Sequence, residues 1–193
     1  MTADPYADVP PPQRAPGETA PAARRVRVTW ADTIEPEPVT WAWTDQHEGR
    51  LPAGSLSIAA GREGTGKSSF GMWMTARITR GTLPGSFYGQ PRRVLYLAVE
   101  DSWRFTLVPR LIAADADLSM VGRLEVVTAQ EDAVTLSLPT DNGMLEAEIR
   151  RHGVALVVID PLMSVMGESI DTHREREVRS ALDPLAAMAD RTG

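Results

Sequence analysis

The sequence contains no cysteine. That excludes a disulfide scaffold and thiolate metal sites, and it is compatible with a reducing compartment, so a cytoplasmic location is expected. Long apolar runs are also missing. No stretch reaches the roughly 18 residues that a membrane-spanning helix needs, so no membrane association is expected. No basic segment followed by an apolar stretch opens the chain, and a secretory signal is not expected either. Positive charge is in deficit, with a formal net charge of −6. Proteins that hold DNA by broad electrostatics are usually basic, so only a local DNA contact stays open. The three histidines do not cluster and show no metal-ligand spacing. The scarcest charged residue is lysine. Of the 20 basic residues, 19 are arginine, and Lys67 stands alone.

What is present suits one domain of moderate size with a tail. Hydrophobic residues make up 42% of the 193 positions, enough for a sizeable core. Residues 1–39 hold eight of the 15 prolines and read as a tail, with 1–25 disordered or a linker. The alternation from Arg25 to Trp30 suits a short edge strand, and Trp41 and Trp43 open the ordered region. From residue 52 onward strands alternate with helices. Leu56–Ala60 reads as a short buried strand. Ser68–Arg80 reads as a helix with Phe70, Trp73, Met74 and Ile78 on one face and Gly81 as its stop. Val94–Val99 and Leu124–Thr128 read as strands, and Ala155–Ile159 as the most apolar of them. Ser102 is placed to cap a helix toward Ala114 that Pro109 should kink. Asp141 is placed to cap a helix over Gly143–Arg151, with Leu145 and Ile149 inward. His173–Arg191 reads as a long amphipathic helix that Pro184 should kink or divide. The alternation implies an α/β fold with a mostly parallel sheet and helices on both faces, a three-layer α/β/α arrangement.

One stretch carries specific chemistry. Gly61-Arg-Glu-Gly-Thr-Gly-Lys-Ser68 fits the pattern G-x-x-x-x-G-K-[ST], between an expected strand and an expected helix. Gly64 and Gly66 let the backbone turn its N–H groups inward, toward phosphate oxygens. The helix that follows adds its positive end. Gly61, Gly64, Thr65, Gly66, Lys67, Ser68 and Ser69 are therefore the expected binding residues for ATP or another nucleoside triphosphate. Lys67 should reach the β- and γ-phosphates, and Ser68 should ligate Mg²⁺. A compact ammonium does there what a planar guanidinium cannot. In a chain that uses arginine almost everywhere else, the position of its single lysine is informative.

Two carboxylates end expected strands at the same rim. Asp160 closes the apolar strand and is expected to hold a magnesium-bound water. Glu100 closes Val94–Val99 and is expected to polarise the water that attacks the γ-phosphate. Asp101 and Ser102 are read as structural. The tryptophans are read chiefly as packing residues, with Trp41 or Trp43 at the nucleotide base as the less favoured reading.

The stretches "LPAGSLSIAAGREGTGKSSF", "RRVLYLAVEDS", "LVVIDPLMSVMG" and "EVRSALDPLAAMADRTG" resemble RecA-like ATPases of the RepA type. That group holds hexameric replicative helicases of plasmids and related AAA-annotated ATPases. The resemblance covers about residues 40–193. It implies a partial RecA-like P-loop ATPase domain there, ATP hydrolysis with Mg²⁺, and a helicase or translocase role in DNA replication or recombination. It matches Lys67 and Ser68 to the phosphate loop, Glu100 to the catalytic carboxylate and Asp160 to the Walker B acid. It also implies a hexameric ring as the full-length assembly and single-stranded DNA as a partner, through the loop from Met163 to His173. A regulatory ATPase without translocation, or a nucleotide-binding fragment of low activity, are the alternative readings. In this group a further apolar strand follows the helix that ends near Gly193, so the sheet is expected to be incomplete at the C-terminus.

Overall fold

The computed structural model of the chain describes residues 26–167, 170 and 174–193. The tail residues 1–25 lie outside them, and so do Glu168, Ser169, Asp171, Thr172 and His173 of the loop expected to face DNA. The chain divides into two units, Met1–Glu37 and Pro38–Gly193. In the first, the described part has one short 3-10 turn, Ala31–Thr33. Residues 26–30 form no strand, contrary to their alternation, and Val26, Val28 and Trp30 are exposed. Alternation creates a strand only where a second strand supplies the ladder, and none does so here.

The second unit opens with a hairpin of β1 (Trp41–Asp45) and β2 (Glu48–Pro52). Gln46 and His47 make its turn with positive φ, a conformation more usual for Asn-Gly. Trp43 lies against α1 (Lys67–Thr79), its ring 5.3 Å from Trp73 and 5.9 Å from Phe70. This is the packing role expected of a tryptophan.

The central sheet has three parallel strands in the order β4 (Val121–Arg123), β3 (Arg93–Ala98), β7 (Val154–Asp160). Strand pleating sends alternate side chains to opposite faces. Val94 and Tyr96 pack toward α1, with Met72, Met74, Ala76 and Ile78. Leu95 and Leu97 pack on the other face, against Leu145 and Ile149 of α3 (Asn142–His152) and Leu185 and Met188 of α4 (Glu175–Thr192). Helices thus cover both faces of a parallel sheet.

Several expectations shift. Leu56–Ala60 is not a strand: it joins no ladder, and residues 57–60 are exposed. A parallel strand needs a neighbour, and β7 pairs with β3 alone. For the same reason β7 is half-buried along its whole length although its residues are the most apolar. The partner of β3 on its other side is Val121–Arg123, not Leu124–Thr128. Of the latter, Val126–Val127 (β5) pairs instead with Ala133–Val134 (β6) in a small antiparallel ribbon. Ser102 caps as expected, its Oγ accepting from the Phe105 N–H at 3.3 Å. The segment it opens is a π-helical turn, Trp103–Leu107, followed by α2 (Val108–Ala113) with Pro109 in its first turn. Pro109 thus sits where the π-helical turn gives way to α2, and the N–H it lacks interrupts the π ladder at that point. Pro184 does not divide α4, which runs unbroken from Glu175 to Thr192. Proline there is exposed, so the carbonyl it leaves unpaired meets solvent.

The last turn of α4 is tied to α3. Arg191 Nη2 donates to Glu146 Oε2 at 2.7 Å, and Arg150 Nη2 donates to Glu146 Oε1 at 3.0 Å and to the Arg191 carbonyl at 2.8 Å. Arg191, and after it Arg150, hold the Glu146 carboxyl below the usual glutamate range. A carboxylate with a lowered folded-state pKa contributes stability above its ordinary pKa and loses it as pH falls through the lowered value. Glu146→Gln should therefore lower the melting temperature modestly at neutral pH. Melting both chains across acidic pH should show the gap closing below the ordinary glutamate range. A gap independent of pH would assign Glu146 no electrostatic role.

Candidate triphosphate-binding site

The segment from Gly61 to Lys67 is a loop entering α1. Gly64 and Gly66 sit at φ 77° and 88°, in the left-handed region where a side chain is disfavoured. Thr65 closes the turn, its Oγ1 donating to the Arg62 carbonyl at 2.8 Å. Gly66 is the N-cap of α1 and offers no side chain to the first-turn N–H groups, and no acidic residue occupies that turn. Those amides therefore stay open to an anion, and the helix end favours one. The Lys67 ammonium bends back over the loop, donating to the carbonyls of Gly61 at 2.9 Å and Arg62 at 2.8 Å.

The loop, the end of β3 and the end of β7 border one cleft of about 530 Å³. From the loop come Glu63, Gly64, Gly66, Lys67, Ser68 and Ser69, and from the strand ends Glu100 and Asp160. Parallel strands carry these together: Ala98 is in register with Asp160, and the Val99 N–H donates to the Asp160 carbonyl at 3.4 Å. Two expected residues, Gly61 and Thr65, do not border the cleft and shape the loop from behind. A larger cavity of about 1250 Å³ lies between Thr135–Thr140 and the start of α4. It shares no residue with the cleft; its charged lining is Arg174, Arg176 and Glu177, whereas the phosphate loop and both strand-end acids border the smaller space.

Three residues of the site carried no distinguishing signal in the sequence. Arg110 of α2 borders the cleft, with Nη1 3.6 Å from Asp101 Oδ2 and Nη2 3.4 Å from Ser69 Oγ. It is one arginine among 19, and only the packing of α2 beside α1 sets it apart. Ser164 follows β7, and its Oγ lies 3.5 Å from Glu100 Oε1. Tyr96 is fully buried in mid-β3, and its hydroxyl donates to Asp160 Oδ2 at 3.4 Å. Burial, and after it the charge of Asp160, raises the tyrosine's pKa far above its usual range.

A glycine-turned loop opening a helix beside a parallel sheet defines the P-loop class of nucleotide-binding proteins. Within that class the chain belongs to the AAA domain family, whose pattern matches residues 17–193. The family supports nucleotide binding and an ATPase-type domain. No curated protein matches the chain. No helix among the described residues is long and apolar enough to cross a membrane.

Proposed function

We propose that this chain is a RecA-like ATPase domain that binds ATP with Mg²⁺ and hydrolyses it, serving a helicase- or translocase-type machine in DNA replication or recombination. One observation carries the catalytic part: Lys67, Ser68, Glu100 and Asp160, separated by up to 93 positions in the chain, border one cleft. The helix-end amides and Lys67 bind the phosphates, and Arg110 adds a second positive charge at the rim. Glu100 accepts the proton of the attacking water. The Lys67 ammonium gives up its loop carbonyls for phosphate oxygens when the nucleotide enters.

The donor set suits magnesium. Ser68 and Asp160 present hard oxygen ligands, and no group of three or more His, Cys, Asp or Glu among the described residues forms a cage. Magnesium usually takes one or two protein ligands and completes its shell with phosphates and water. When bound it neutralises charge developing on the β- and γ-phosphate oxygens.

The RecA-like assignment, the hexameric ring and single-stranded DNA as partner are supported by the resemblance of the motif-bearing stretches. ATP turnover measured with and without single-stranded DNA tests the motor reading, with stimulation of several-fold expected. Turnover indifferent to DNA would favour a regulatory ATPase. Retained nucleotide affinity with no turnover would favour a binding fragment.

A further inference from the structure

Asp160 does not face the cleft unassisted. Beneath it, Tyr96 is fully buried between the sheet and α1, its ring edge-on to Trp103 at 6.4 Å and 88°. A phenylalanine ring would fill the same core. The hydroxyl is what distinguishes this residue, and a buried hydroxyl is unfavourable unless it is bonded. Among the described residues its partner is Asp160 Oδ2, at 3.4 Å.

A second observation concerns the room that the hydroxyl occupies. Gly71 lies inside α1, where glycine is the least suited residue after proline. A Cβ there would lie 3.3 Å from the Tyr96 hydroxyl and 3.2 Å from Val158 Cγ1. The helix thus carries an unfavourable residue at the point where it passes the hydroxyl and the strand that bears Asp160.

We propose that Tyr96 is a positioning residue: its hydroxyl holds one oxygen of Asp160, turning the carboxylate toward the magnesium side of the cleft. The proposal rests on the reading of Asp160 given above. Groups that orient metal-side ligands typically change metal affinity by about 10- to 100-fold when removed.

The test uses the full chain and a fluorescent ATP analogue, titrated with Mg²⁺ and, separately, bound in EDTA. Tyr96→Phe should raise the Mg²⁺ concentration at half-saturation roughly 10-fold, the lower end for such a partner. Affinity in EDTA should not change. Asp160→Asn, run in parallel, should shift the Mg²⁺ dependence further. Equal losses for Tyr96→Phe with and without Mg²⁺ would reduce the tyrosine to a packing role and overturn the proposal. A shift for Asp160→Asn with none for Tyr96→Phe would overturn it too, leaving Asp160 in place. No shift in either would overturn the reading of Asp160 itself. Phenylalanine keeps the ring that fills the core, and a thermal melt run beside the titration verifies that the Tyr96→Phe chain is folded.

Discussion

Lys67→Ala should weaken ATP binding about 100-fold or more while leaving the domain folded. A hydrogen bond to a charged group contributes about 1.5–3 kcal/mol, and each 1.4 kcal/mol is tenfold in affinity. Two phosphate contacts from one ammonium therefore account for a loss of that size. The same ammonium now bonds the carbonyls of Gly61 and Arg62, so alanine also loosens the loop before any nucleotide arrives. The loop itself is exposed and contributes nothing to the three apolar clusters of the core. Melting should consequently change little. Calorimetric titration with ATP beside a thermal melt separates the two effects. A folded mutant with normal ATP affinity would remove the phosphate-loop assignment.

Glu100→Gln should leave ATP bound and slow its hydrolysis by about 10²- to 10⁴-fold, the usual contribution of a positioned general base. The amide keeps the shape of the side chain and can still face Ser164 Oγ, now 3.5 Å from Glu100 Oε1. It loses the basic oxygen. Binding by the loop amides and Lys67 does not pass through this residue, so affinity and turnover should part. Single-turnover hydrolysis with an independent binding measurement reads both. Normal turnover would move the base elsewhere, and Asp101, which borders the same cleft, would be the next candidate.

The parts of this protein legible in the sequence are those decided by neighbours along the chain. The phosphate loop is one: glycines at fixed offsets and a helix start are local, and Gly64 and Gly66 have the left-handed φ that the motif requires. The cap at Ser102 and the inward faces of Leu145 and Ile149 were legible for the same reason. The β1–β2 hairpin was not, because its turn is Gln46-His47 and carries no glycine or asparagine signal. The sequence predicts a kink or a break at Pro184; there is no break, because the buried face formed by Ala181, Leu185 and Met188 carries the helix past it.

Identity as a phosphate-loop protein, and the two acids at strand ends, were determined by the sequence alone. A motif of eight residues and an acid closing an apolar run require no knowledge of distant partners. Which strands pair was decided only in three dimensions. Leu56–Ala60 has the composition of a strand, but a ladder is a relation between two segments, and the segment that would flank it is not supplied by β7 or β3. The site's supporting groups were decided there as well. Tyr96 and Asp160 are 64 residues apart, Arg110 and Ser69 are 41 apart, and no local pattern couples them. They meet because parallel strands end at one rim and helices pack across it, and that geometry exists only in the folded chain.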